Sequence, residues 1–351
     1  MTRTPPPPPR KPTSRDTSNP ELAPKPYEFV SFPPERPNLQ RPVGHDKYWS
    51  DRLHGTLYLT LKVQTSLHIS TGIVAMGSDI GSNRIPLIKT MVQGVDQKLS
   101  IQGSSLKGCI RSVYEAITNS TLAVVTSKYN KENKYPQERL PCSNKEKLCP
   151  ASRVFGALNW QGLLDFNDAK CESIGFTTGF MPSLYRPRPD QSSAYFVRGK
   201  VAGRKFYYHT IRAIDKGQNS GVAVQQAGKE YTFKTQLHFK NLLPEELGTL
   251  LIILGQDSKY PLALKVGGGK PIGMGTMTVT IDKIQRPQSL KQRYSSYEIS
   301  DSEELTGDKL AQFKQEKIQA AHSRLVQKQQ LEELTKVLRY PTDREPPSGM
   351  Y

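Results

Sequence analysis

The order of periodic segments constrains this chain most. Leu57, Leu59, Leu61 and Val63 alternate with Tyr58, Thr60 and Lys62, the two-residue period of a strand with one buried face. A helix is predicted from Ser104 to about Asn119, and short strand-like stretches recur between about 154 and 240. A second helix is predicted over Pro244–Leu254, with proline in its first turn, Gly255 at its exit and a core stripe of Leu247, Leu250, Leu251 and Leu254. Met274 to Ile284 reads as a closing strand. Strand, helix, strands, helix, strand is the order of an α+β, ferredoxin-like or RRM-like domain, and 351 residues suffice to bury its core.

The flanks are of a different composition. Residues 1–44 hold the run Pro5–Pro9 and many further prolines, which rule out helix or ladder and predict an extended or disordered arm. Tyr27, Phe29, Val30 and Phe32 would anchor it if it wraps a neighbouring subunit; a plain tail is the alternative. The domain then spans 45–286, interrupted by a glycine-containing loop at 71–102 and a lysine-rich irregular insertion at 120–153. Residues 287–351 read as a linker and one helix from about Asp308 to Leu338, packing on the domain or on another subunit.

Lys and Arg number 49 against 32 Asp and Glu, a formal charge of +17. Such an excess favours a polyanionic partner, because each neutralised phosphate releases counterions. No apolar run approaches the about 20 residues that span a bilayer, and nothing at the N-terminus reads as a signal peptide. Four cysteines form no disulfide framework, so a soluble cytoplasmic protein without membrane contact is expected.

The stretch Ile101–Glu115 reads as a glycine turn, a serine cap and a helix start. Ser104 or Ser105 would cap the helix, and Lys107 and Arg111, four residues apart, would face an anion held at the helix's positive end. An ordinary capped helix with a solvated basic face fits these residues as well. Late in the chain Gly267, Gly268, Gly269, Gly273 and Gly275 form a loop whose amides can approach a phosphate, with Lys265 and Lys270 adding charge. It lacks the Gly-Lys-Ser/Thr ending of a Walker loop. Arg204-Lys205-Phe206-Tyr207-Tyr208-His209 mixes cations and aromatics, as single-strand binders do, though a core strand with solvated cations reads the same way.

Four of these segments, in order, resemble the RAMP superfamily (repeat-associated mysterious proteins), the backbone subunits of type III CRISPR effector complexes. They are "GSSLKG…R" with "SVYEA", Cys149-Pro150 with Val154-Phe155-Gly156, "GRKFYYH" from Gly203, and the glycine loop Lys265–Gly275. Together they run from about Leu53 to about Gln285 and stand closest to the type III-D branch. The resemblance implies a ferredoxin-like domain that holds guide RNA between the helix start and the glycine loop. It implies target RNA, other RAMP subunits and the large signalling subunit as partners, with the 71–102 segment splaying a base pair of the guide–target duplex. Some relatives bind structural zinc near the position of Cys149; here Ser152 replaces a second family cysteine, leaving Cys142, Cys149 and Cys171 as candidates. In target-cleaving relatives a loop aspartate works with a divalent metal such as magnesium. Asn83 or Arg84 stands in its place, so Asp79 is the candidate acid and Arg84 a phosphate contact. A guide-processing endoribonuclease using His68 or His209 as base is a further alternative.

Overall fold

The computed structural model describes residues 26–81, 83–182, 195–214, 221–287 and 302–347. Along the chain its main elements are β1 (Tyr27–Ser31), β2 (Leu53–Val63), β3 (Ser70–Met76), β4 (Leu87–Met91), β5 (Lys98–Ile101) and α1 (Gly103–Ile117). Then come α2 (Pro150–Phe155), β6 (Leu164–Phe166), β7 (Ala169–Ile174), β8 (Thr177–Pro182), β9 (Gly203–Tyr207), β10 (Gly221–Gln226) and β11 (Thr232–Leu242). The last are α3 (Pro244–Ile253), β12 (Leu264–Lys265), β13 (Thr276–Pro287), β14 (Ser302–Leu305), α4 (Gly307–Arg324) and α5 (Lys328–Leu338).

The central sheet runs β12-β13-β2-β11-β7-β5, antiparallel throughout. Helix α1 lies between β2 and β7 in sequence, and α3 between β11 and β13. The strands at the heart of the sheet are thus spatially fourth, first, third, second, the split βαβ order of a ferredoxin-like fold. Leu57, Leu59, Leu61 and Val63 are buried, as their alternation predicts, and join Leu106, Ile110, Val113, Leu247, Leu250 and Leu251 of the helices in one core. Each such side chain contributes about 1.5–3 kcal/mol on burial. The opposite sheet face is polar, and three of its lysines are paired: Lys62 with Glu230 (2.5 Å), Lys234 with Glu172 (2.6 Å) and Lys283 with Glu304 (2.6 Å).

Three expectations change, and the insertion at 120–153, irregular as expected, is held in place by a buried cation. The 71–102 segment is not an irregular loop but carries the hairpin β3–β4, part of a second sheet ordered β8-β10-β4-β3. Residues of β3 are exposed on nearly every side, so the strand has no buried face to print an alternation. The arm from Tyr27 to Ser31 pairs with β9 of its own domain, and Val30 is fully buried. The proline run at 5–9 lies outside the described residues, as does the linker over 288–301. The insertion at 120–153 is pinned from within: the buried Arg139 guanidinium donates to Pro33 O and Glu35 O, both at 2.6 Å. Finally, the C-terminal helix is two. Helix α4 packs on α3 across Gly248, where a Cβ would lie 1.8 Å from Lys317 O. After Leu325 the chain turns so that α5 packs against α1 and β1, with Gln327 N donating to Ile117 O (2.7 Å).

Candidate nucleic-acid interface

Helix α1 and the glycine loop meet. Cys109 Sγ lies 3.4 Å from Lys265 O, on the side of the helix turned toward β12. The loop itself is wedged between the two sheets: Gly268 N donates to His68 O (2.9 Å) and Gly275 N to Ser66 O (2.8 Å). Two glycines are irreplaceable for steric reasons. Gly275 has φ +86° and Gly273 φ +91°, and a Cβ at Gly275 would sit 1.9 Å from Val266 O.

The helix start departs from expectation. Neither Ser104 nor Ser105 caps it; Gln102 holds the cap position without a side-chain bond, and Gly103 N donates to Asp168 Oδ1 at 2.7 Å. A carboxylate therefore already occupies the positive end of this helix, where a phosphate was expected. Nor do Lys107 and Arg111 converge on one anion. Lys107 Nζ donates to Leu164 O (3.2 Å), at a polar cleft of about 690 Å³ that His238, Asp165 and Lys240 also line. Burial, and secondarily Arg111, lowers the Lys107 pKa. Arg111 Nε pairs with Glu115 (2.8 Å), whose other oxygen takes Arg204 at 2.6 Å. Arg204 also donates to Thr121 O (2.7 Å), so this buried guanidinium is a structural cation rather than a surface contact.

Lys265 is likewise internal, only 6% exposed. Its Nζ donates to Gly273 O (3.1 Å) and Thr276 Oγ1 (3.3 Å), and Thr276 continues the chain to His209 Nδ1 (3.0 Å). Burial, then the neighbouring Lys270, pulls the Lys265 pKa down to about 7. No carboxylate pairs with it or with Lys270 among the described residues. The loop's amides are mostly engaged: those of Gly268, Ile272, Gly273, Met274 and Gly275 donate to protein carbonyls, while those of Gly267, Gly269 and Lys270 have no backbone acceptor among the described residues.

Lys205 sits among rings, its Nζ 4.4 Å from the Tyr27 ring centre and 4.7 Å from that of Tyr207. The site as built is therefore a cationic groove that runs along α1 at Cys109 and Ser112, with Lys205 and Lys270 in its lining.

The remaining candidates stand elsewhere. Asp79 and Arg84 are exposed in the turn of the β3–β4 hairpin, where Asp79 meets Ser78 Oγ at 3.4 Å. Among the described residues no group of three or more His, Cys, Asp or Glu side chains is placed to hold a metal ion. A preformed magnesium centre at Asp79 does not fit this arrangement, nor does a zinc centre at the cysteines. Cys142 and Cys149 do meet, Cys149 N lying 3.4 Å from Cys142 Sγ, and Cys149 caps α2. Cys171 is buried in the sheet opposite Phe233, outside that pair. His68 and His209 are both buried, and burial, with Lys265, takes the His209 pKa down to about 3, which denies either imidazole the role of solvent-facing base. Sequence reasoning missed Asp168 and Glu115; the i,i+4 spacing of Arg111 and Glu115 was the available signal for the second.

A family model described as the RAMP superfamily matches residues 60–278, more than half of the chain, and spans both α1 and the glycine loop. The chain belongs to the RAMP superfamily. Among solved structures, this RAMP protein is similar to a chain in the cryo-EM structure of a type III-B Cmr-beta bound to cognate target RNA, with 16% identity and a TM-score of 0.34. The match covers 66% of this chain and 60% of that one, so the RAMP protein spans less than two thirds of the length of its matched neighbour. No curated protein matches the sequence. Among the described residues no helix is long and apolar enough to cross a membrane.

Proposed function

We propose that this RAMP protein is a subunit of a type III CRISPR ribonucleoprotein and holds the guide RNA backbone in the groove between α1 and the Gly267–Gly275 loop. One observation carries the reading: two segments about 160 residues apart in sequence close on each other beside Lys265 and Lys270, which have no acidic partner among the described residues. Backbone contacts of this kind are electrostatic and indifferent to base sequence, which suits a guide whose sequence varies. The β3–β4 hairpin suits a wedge in the guide–target duplex, since it presents Ile73, Val74, Met76 and Leu87 to solvent, each about half exposed or more. Other RAMP subunits and the large signalling subunit are the expected neighbours, with target RNA paired to the guide.

The test is RNA binding by the full chain and by a Lys270→Glu variant, followed by fluorescence anisotropy. The reading predicts a loss of about tenfold or more in affinity, whatever the RNA sequence. Unchanged binding would refute the groove as the guide-holding site.

A further inference from the structure

The groove is part of a cleft of about 440 Å³ with aromatic walls. One wall comes from the arm, where Phe29 meets Tyr195 edge to face with centres 5.7 Å apart. The other comes from the 120–153 insertion and the short ribbon Phe196–Val201, where Tyr129 and Phe196 stand at 89° to each other, centres 5.4 Å apart. Arg204, Lys205, Lys265 and Lys270 complete the lining, and no Asp or Glu contributes to it among the described residues.

This combination selects its occupant. Lysine buried without a counter-ion leaves a charge that an entering anion satisfies. Aromatic faces add dispersion and stacking for a flat ring, and they do so for any base, because every base has a π-face. A proline-rich peptide also seeks aromatic grooves, and the chain's own residues 1–15 are such a peptide. They carry Arg3, Arg10, Lys11 and Arg15 and no acid, so they would bring like charge to four cations. Charge complementarity favours the nucleotide.

We propose that the cleft receives one unpaired nucleobase of the bound RNA, stacked among Tyr129, Tyr195 and Phe196, with the adjoining phosphate on Lys270 and the buried Lys265 adding charge behind it. The proposal rests on the guide-binding reading and adds to it a place where the RNA chain leaves regular stacking. It gives the arm and the insertion, both peripheral to the ferredoxin-like core, a shared role in building the pocket.

The experiment uses the full chain and short single-stranded RNAs carrying 2-aminopurine or an abasic residue at successive positions. On the wild type, one register of 2-aminopurine changes its fluorescence on binding, and an abasic residue in that register weakens binding about tenfold. Phe196→Ala and Tyr129→Ala abolish both effects, leaving the abasic RNA bound as tightly as by wild type, while Phe196→Trp restores them. Variants that bind intact RNA as the wild type does would overturn the nucleobase pocket and leave the groove reading standing. Failure of the wild type to bind any of the RNAs would sink both. A peptide of residues 1–15 that displaces RNA from the wild type but not from Phe196→Ala would assign the cleft to the arm and overturn the proposal.

Discussion

The two polar surfaces of this domain are both rich in lysine, and they are built in opposite ways. On the open face of the central sheet Lys62, Lys234 and Lys283 each have a glutamate within 2.6 Å. In the groove between α1 and the glycine loop, Lys265 and Lys270 have none among the described residues, and Lys205 is held by rings rather than acids. A charge of +17 therefore says little about where a polyanion binds. What locates it is the distribution of carboxylates, because exposed pairs neutralise their lysines at little energetic consequence, whereas unpaired buried cations persist only where something else gains from them.

The comparison yields graded tests. The largest effect is expected at Glu115, the single acid joining Arg111 to the buried Arg204 beneath the groove. Glu115→Ala leaves that guanidinium buried and uncompensated and should lower stability by about 3–5 kcal/mol in urea unfolding. A loss under about 1 kcal/mol would mean that water reaches Arg204 and that the groove floor is looser than drawn. Next comes charge reversal on the two surfaces. Lys270→Glu should weaken RNA binding about tenfold or more, while Lys234→Glu on the paired sheet face changes it by no more than about twofold. Equal losses would erase the distinction between the surfaces.

A smaller, pH-dependent effect belongs to Lys265. Its pKa of about 7 lies below the ordinary lysine value of 10.5, so the unfolded chain holds more protons than the folded one between those limits. Stability contributed by this group accordingly rises with pH through that window. RNA binding runs the other way, since a nearby phosphate favours the protonated amine. Affinity should fall by up to about tenfold between about pH 6 and pH 8, and Lys265→Met should flatten the profile, as a titration of anisotropy against pH will read. The smallest effect is expected at the hairpin tip. Asp79 is exposed with no set of metal ligands around it among the described residues, so Asp79→Ala in the assembled complex should leave target-RNA product bands unchanged. Loss of a band would make this subunit a metal-dependent target endonuclease.

Much of the fold was legible because burial writes itself into periodicity. Leu57 to Val63 bury one face, the Pro244 helix is apolar and buried nearly all round, and their patterns gave the ferredoxin-like order directly. The β3–β4 hairpin was illegible for the converse reason: β3 meets solvent along nearly its whole length, and the two buried side chains of β4, Ile88 and Met91, are too few to print a period. The site was half legible. The meeting of α1 with the glycine loop followed from the family resemblance, but the partners of its cations did not. Asp168 reaches Gly103 N from 65 residues away, and Lys265 turns inward to Gly273 and Thr276. Such choices depend on tertiary neighbours that no local spacing encodes.

The most direct test of the account is the salt dependence of RNA binding by wild type and Lys270→Glu, measured by anisotropy from about 50 to about 300 mM salt. The account predicts a steep, sequence-independent slope for the wild type, shallower by about one for the variant. Parallel slopes for the two proteins would contradict it, because the groove between α1 and the glycine loop would then lie away from the phosphates.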